Sequence, residues 1–456
     1  MPGATAGIRV AFNDVAFTTS EPTWTQLDGP TGSSYVSGWT IDRGRTYELD
    51  KTQAGTSTFT LIDTTGRFDP TNPSSPYFGQ IGPMRQMKIG LVNPVNHQNY
   101  DLFTGYIEAW NYTMDTAEKM MTIDVDAVDG FEPLSRAEFP PDSTGTTVLT
   151  ATTDVQTRIH YILDTFFGWN GVSALGWPTY LRKINSGNVL VKQTIYNPGT
   201  SLMSGLQDAA DAEFPGVANI FMNKIGQVTF YGRYPRFQPT SYPQDVTFWT
   251  VGDKNAVNTF GGAPIHDIQW NLDQKNLINA AQAWPEGLAQ NAIASQLYVS
   301  PSSIANYGNR LQTMPNLQTD GSSGSATPPS LTPAQECQLF SWYYAANYNK
   351  PVQRISKLEF VTQDPATTTG AALWNFICGV EIGDILTVYS SNPGGGGFSK
   401  ETDASPFGVD EFFVEGIHYS AAPMTANFPQ ITVNLDVSPR AWFNQFPSVF
   451  PPPVIA

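Results

Sequence analysis

The sequence predicts a mainly β protein with α+β insertions: two similar tube-type β-barrel domains separated by an α+β middle region. Three observations predict it. Gly (39) and Pro (35) are abundant, which favours turns and short strands over long helices. Alternating polar and apolar runs with turn signals between them occur towards both ends of the chain. The stretch between those ends carries helical periodicity instead.

The first β region spans 35–135. Thr56 to Ile62 is β-branched, with Phe59 and Leu61 two apart, which predicts a half-buried strand. A turn-dense stretch follows from Asp63 to Pro73, then an apolar run from Met87 to Val92. The run Asp101 to Trp110 puts Phe103, Gly105, Ile107 and Ala109 on one face. Met121 to Ala127 alternates: Met121, Ile123 and Val125 point inward, and Asp124 and Asp126 outward.

The middle region reads as helix first. Val155, Ile159, Ile162, Leu163 and Phe166 recur at helical spacing, with Thr153 or Asp154 as cap and Gly168 as stop. A second helix is expected near 200–213 on Leu202, Met203, Leu206, Ala209 and Ala210. A hairpin follows, Ile220 to Met222 and Val228 to Tyr231. Ile278 to Trp284 is a candidate strand, and 318–332 has the composition of a flexible linker. Thr332 and Gln335, with Pro333 between, form a capping-box pattern that opens a helix ending before Pro351. From Ile355 to Trp442 the pattern is β again.

The two β regions echo one another. Asp101-Leu102-Phe103-Thr104-Gly105-Tyr106-Ile107 resembles Glu411-Phe412-Phe413-Val414-Glu415-Gly416-Ile417, which sets Phe103 on Phe413 and Ile107 on Ile417 as a shared repeat core. An alternating strand follows each, Ile123 to Ala127 and Ile431 to Val437. Two equivalent barrels per chain would let three chains close a ring of six. The expected division is an N-terminal arm (1–34), a first barrel (35–135), an α+β insertion (136–240), a second middle domain with its linker (241–350), a second barrel (351–442) and a Pro-rich tail (443–456).

Charge excludes some functions. The 456 residues carry 24 Lys and Arg against 40 Asp and Glu, a net charge of −16. Nucleic-acid affinity rests largely on cations, so a phosphate-binding surface is not expected. No window of about 18 apolar residues exists, so no membrane insertion is expected. The N-terminus has no basic segment followed by an apolar run, so no secretory signal is expected. Cys337 and Cys378 are too few for a disulfide scaffold.

Catalytic and metal patterns are equally sparse. His97, His160, His266 and His418 show no ligand spacing. Asp124, Asp126, Asp129 and Gly130 begin like a calcium loop, but the third acid is late and the closing Glu is missing, so a solvated acidic strand face is expected. Gly394 to Gly397 lacks the Lys-Ser/Thr ending of a phosphate loop and reads as a hairpin tip. Trp24, Trp39, Trp110 and Trp284 could stack on sugars, but core packing is the default for aromatics. No catalytic residue, metal or cofactor is assigned.

With these residues in view, the chain resembles the minor tail proteins of long-tailed bacteriophages, particularly those of actinobacteria. The resemblance rests on Arg43-Gly44-Arg45 with Glu48-Leu49, on Ala54-Gly55-Thr56, on Gly66-Arg67-Phe68-Asp69-Pro70 with Ser75-Pro76-Tyr77, and on Leu102 to Glu108. Near the far end it rests on Gly383 to Val388 and Phe413 to His418. Within that family the layout is similar to tail or baseplate hubs. The resemblance implies a non-enzymatic virion protein at the tail tip, assembled in the host cytoplasm. It implies a homotrimer that caps the hexameric tail tube or distal tail ring. Its partners would be the distal tail or tail tube protein, the tape measure protein and tip or fibre proteins, with DNA only passing through the lumen. Asp124 and Asp126 are the candidate bore-facing acids. A hexameric distal tail protein and a receptor- or carbohydrate-binding tail module are the alternatives.

Overall fold

A computed structural model describes residues 6–14, 16–17, 20–27, 35–117, 120–140, 147–149, 152–165, 176–197, 199–272, 276–289, 292–293, 296–322, 331–391, 399–400, 408–421, 430–444, 452 and 455. It is mainly β, and its largest element is a 15-stranded sheet. Six strands build the first half, with the two-residue strand Thr25–Gln26 added at its edge: β1 (Ala6–Val10), β2 (Val36–Gly44), β3 (Thr56–Asp63), β4 (Gln86–Val92), β5 (Asn99–Asp115) and β6 (Met120–Val128). They lie in the order β2-β3-β6-β5-β4-β1, every neighbour antiparallel. Six more build the second half, with the two-residue strands Ala263–Pro264 and Ser399–Lys400 beside them: β7 (Phe248–Gly252), β8 (Asp267–Leu272), β9 (Gln353–Val361), β10 (Ile385–Ser390), β11 (Gly408–Ala421) and β12 (Ile431–Pro439). Their order is β8-β9-β12-β11-β10-β7, antiparallel except that β7 runs parallel to β10.

Five strands of each half therefore share one topology: β2-β3-β6-β5-β4 and β8-β9-β12-β11-β10. A bulge fixes the residue-level match. On β5 it falls between Ile107, opposite Ala127, and Ala109, opposite Asp126. On β11 it falls between Val414, opposite Val437, and Gly416, opposite Asp436. Glu108 and Glu415 are the bulged residues, since one extra residue on the strand is left without an opposite partner. The match corrects the echo read from sequence. Tyr106 and Trp110, not Phe103 and Ile107, take the places of Phe413 and Ile417. The tempting Phe-to-Phe alignment slipped because short apolar strands superpose in more than one register. Phe103, Ile107, Phe413 and Ile417 are all fully buried core residues.

The halves are joined edge to edge. Gly416–Ala421 of β11 pair with Trp39–Gly44 of β2. One edge of β11 carries β12; the other carries β10 and then β2. Behind the sheet a single hydrophobic cluster draws on both halves, from Phe59, Ile107 and Val125 to Ile417, Tyr419 and Val433. Burying each such side chain contributes about 1.5–3 kcal/mol.

The middle region holds α1 (Val155–Asp164), α2 (Leu202–Glu213) and α3 (Pro333–Asn347). Asp154 caps α1 by accepting from the Thr157 amide at 2.9 Å, and Ser201 caps α2. The expected capping box of α3 is formed, Thr332 and Gln335 each satisfying the other's backbone. Pro333 starts the helix at no hydrogen-bonding cost. The expected stop at Gly168 lies outside the described residues.

Strand partnership differs from the expected division. Phe248–Gly252 and Asp267–Leu272 join the C-terminal sheet, so that half begins well before 351. Ile159, Leu206, Phe214, Phe340 and Tyr343 share a second core, which unites the two expected middle domains across residue 240. The supposed N-terminal arm supplies β1, which pairs with β4. The expected linker is shorter than 318–332, because Thr319–Ser322 pair with Val189–Val191. Composition reported the Gly and Ser but not the pairing. Of that stretch 323–330 lie outside the described residues, as do Gly394 to Gly397 and all of the Pro-rich tail except Phe443, Asn444, Pro452 and Ile455. Inside the expected all-β region stands α4 (Thr368–Gly379), capped by Thr367. Its Leu373, Trp374, Phe376, Ile377 and Cys378 are all buried, so it lacks the polar face that signals a helix. Among the described residues no helix is long and apolar enough to cross a membrane.

Candidate functional surface and the seam between the halves

Because strand neighbours present paired residues to the same side, the outward face of the sheet can be followed strand by strand. Asp126 lies opposite Thr58, Thr58 opposite Thr40, Thr40 opposite Ser420 and Ser420 opposite Thr432. One pleat away, Asp42 lies opposite His418, His418 opposite Asn434, Asn434 opposite Glu359 and Glu359 opposite Asp267. The face thus runs unbroken through both halves. It carries Asp42, Asp124, Asp126, Asp267, Glu359 and Asp436 against His418 and Lys357.

Asp124 and Asp126 stand where the alternation predicts, on this outward face. They are braced by neighbours. Thr60 Oγ1 donates to Asp124 at 2.6 Å, and Thr58 Oγ1 and Asn111 Nδ2 donate to Asp126 at 3.2 and 2.8 Å. Asp129, the third acid of the calcium-like stretch, is not beside them. It is buried and accepts the Gly55 and Phe131 amides at 2.7 and 2.8 Å, and burial pushes its carboxyl up to about 7. The three acids do not converge on one point.

His418 sits on the seam. Its Nδ1 is 3.2 Å from Asp42 on β2 and its Nε2 is 2.8 Å from Asp436 on β12, so one ring links the two halves. Hydrogen bonds to Asp42 first and Asp436 second raise its pKa to about 10. A histidine pKa raised by folding adds stability that is complete below about 6.5 and disappears as pH climbs through 10. The His418 side chain keeps 35% of its exposure, so solvent screens part of this gain. The expected loss for His418→Asn is about 1–2 kcal/mol at pH 6. Melting curves at pH 6 and pH 10 check it: the wild-type and variant curves should draw together at the higher pH.

Below the seam the resemblance motif of Arg43, Gly44, Arg45 and Glu48 acquires a physical role. Arg43 Nη1 bonds Glu381 at 2.9 Å, and Arg354 holds Glu48 through two contacts of 3.1 Å. Arg45 Nε bonds Glu415 at 2.9 Å, and Arg236 from the middle region grips the same carboxylate at 2.5 and 2.7 Å. Ser438 adds a fourth donor at 2.5 Å. Burial alone would raise the Glu415 pKa. The Arg236 and Arg45 charges outweigh it and bring the value down to about 2. The family resemblance singled out Arg43, Gly44 and Arg45, but sequence reasoning missed Glu381 as the partner of Arg43 and Glu415 as the partner of Arg45, because each contact spans hundreds of residues.

A cleft of about 370 Å³ lies between Leu49–Thr52, α2 and Gln312–Gln318. Desolvation raises the carboxyls of Asp208 and Asp211 there, and Lys51 offsets it at 3.3 Å from Asp211. Tyr344 is the one aromatic among its described lining residues. The candidate sugar-stacking tryptophans are elsewhere. Trp39 is core, Trp110 stacks on Phe12, and Trp24 lies under Lys88.

No family model matches this sequence, and no curated protein matches it. Solved structures do share the fold. A tail protein from Neisseria meningitidis MC58 aligns over 97% of this chain and 99% of its own length, with a TM-score of 0.53 at 10% identity. The 43 kDa tail protein of prophage MuSo2 from Shewanella oneidensis aligns over 96% and 98%, with a TM-score of 0.48 at 11% identity. Prophage tail protein gp18 from Listeria monocytogenes EGD-e aligns over 94% of each chain, with a TM-score of 0.45 at 10% identity. The Neisseria neighbour is described as a tail protein. At such identity the likeness to the Neisseria protein shows a common fold.

Proposed function

We propose that the chain is a structural component of a bacteriophage tail, a trimeric hub that closes the hexameric tube and mounts tip or fibre proteins. One observation carries this reading: the same five-strand sheet occurs twice in one chain, joined β2 to β11, so that three chains present six like sheets. The fold shared with the Neisseria tail protein supports the class. The acidic outward face supports an orientation towards the bore. Asp42, Asp124 and Asp126 there would repel passing DNA at short range, since salt screens beyond about 8 Å. No catalytic step is assigned, and the polar 370 Å³ cleft offers a sugar little to stack on.

Light scattering on the purified full chain tests the reading. Three chain masses are expected. Six would favour a hexameric distal tail ring, and binding of the chain to host wall glycans would favour a receptor module.

A further inference from the structure

The intrachain seam is a template for the contact between chains. On β11, the segment after the bulge pairs with β2. The matching segment of β5, Ala109 to Met114, pairs with β6 on one edge, and among the described residues no strand lies along its other edge. Likewise β8 is the counterpart of β2. It has β9 on one side and no strand on the other among the described residues. Each half thus offers the strand its partner half would need, but a single chain cannot bring them together.

Burial shows what is missing. Tyr419 and Ala421 of β11 are 2% and 8% exposed, because β2 and Trp39 cover them. Their counterparts on β5 are Tyr112 and Met114, at 39% and 65%. These two share the inward face, since Tyr112 lies opposite the fully buried Ile123. An uncovered apolar strand edge invites another strand.

We infer that β8 of one copy pairs antiparallel with Ala109–Met114 of the next, repeating the β2–β11 seam between chains. The occupant is a second copy of this chain, and the register follows from the two halves. Ala421 faces Trp39 and Ser420 faces Thr40 at the intrachain seam. Trp39 pairs with Phe59 as Ile268 pairs with Leu358, and Thr40 pairs with Thr58 as Gln269 pairs with Lys357. Met114 of one copy therefore lies opposite Ile268 of the next, and Thr113 opposite Gln269. Asn111 replaces His418, so the ionic clamp of the intrachain seam is not repeated between chains.

This pairing rests on the trimeric reading, and the experiment separates the two. The double variant Thr113→Cys with Gln269→Cys is oxidised in the full-length protein and run without reductant. Cys337 and Cys378 are buried and do not compete. The expected product is a covalent ladder ending at three chains, absent from either single variant. Separately, Tyr112→Asp with Met114→Asp should raise the dissociation constant of the trimer at least tenfold. Its monomer should melt as wild type does, because both side chains are exposed. A trimeric wild type that neither cross-links nor weakens overturns the pairing and leaves the trimer standing. A wild-type mass of one or six chains overturns the trimeric reading and this pairing with it.

Discussion

Glu415→Gln should remove about 3–5 kcal/mol of stability at pH 7, because it leaves two buried guanidinium groups without their counter-charge. Arg45 and Arg236 both converge on this carboxylate, and all three side chains are at most 4% exposed. The amide keeps the shape and loses the charge. The pH dependence has a definite sign. Folding lowers the Glu415 pKa from 4.5 to about 2, so its contribution is full above 4.5 and is lost as pH falls through 2. Urea titrations at pH 7 and at pH 3 measure both features. The variant should be much weaker than wild type at pH 7, and the gap should shrink at pH 3. An unchanged midpoint at pH 7 would show that the ion cluster does not hold the seam.

Gly44→Ala should cost about 3 kcal/mol, from backbone strain and a steric clash together. Gly44 has φ +100°, a conformation that L side chains rarely adopt. An added methyl would also lie 2.3 Å from the Glu415 carbonyl oxygen and 2.7 Å from Gly416 Cα. That oxygen already accepts the Arg45 amide at 3.0 Å, so it cannot retreat without opening the joint. Gly79→Ala is the control. Its φ is +74°, but nothing lies within 4 Å of the added methyl. It should cost about 1 kcal/mol, the conformational share alone. Equal losses at the two positions in chemical denaturation would show that the close approach of β2 to β11 is unimportant.

Both variants fall at one place, where β2 meets β11 beside the bulge. Gly44-Arg45 and Glu415-Gly416 form a single joint. The glycines let two backbones come close, and the ions fasten them. The bulge at Glu415 turns the strand so that its two ends meet β10 and β2 in succession. Its counterpart Glu108 is 43% exposed and bonds Arg136 on the surface at 2.5 Å. The same bulge residue thus serves a buried joint in one half and an open edge in the other.

Much of the local structure is legible in the chain. Alternation at Met121 to Ala127 separates Ile123 and Val125 from Asp124 and Asp126 as the strand does. Cap signals at Asp154 and Thr332, and the periodicity of Leu202 to Ala210, locate three helices. Reading by period fails where a helix is buried on nearly every side or a strand stands half-exposed at the edge of a sheet. The helix Thr368–Gly379 is apolar nearly all round, and Asp267–Leu272 mixes Asp, Gln and Trp because it borders the sheet.

A β region towards each end of the chain and the polar and apolar faces of strands such as Met121 to Ala127 follow from the order of residues, because alternation and turn chemistry act over a few neighbours; Arg43, Gly44 and Arg45 stood out only through the family resemblance. Tertiary structure alone decided that the two sheets are continuous, that Glu415 answers Arg45, and which residues of the two copies correspond. Those facts depend on register and on charge pairs between distant strands. A local pattern fits several registers equally well; only packing of the common core chooses among them.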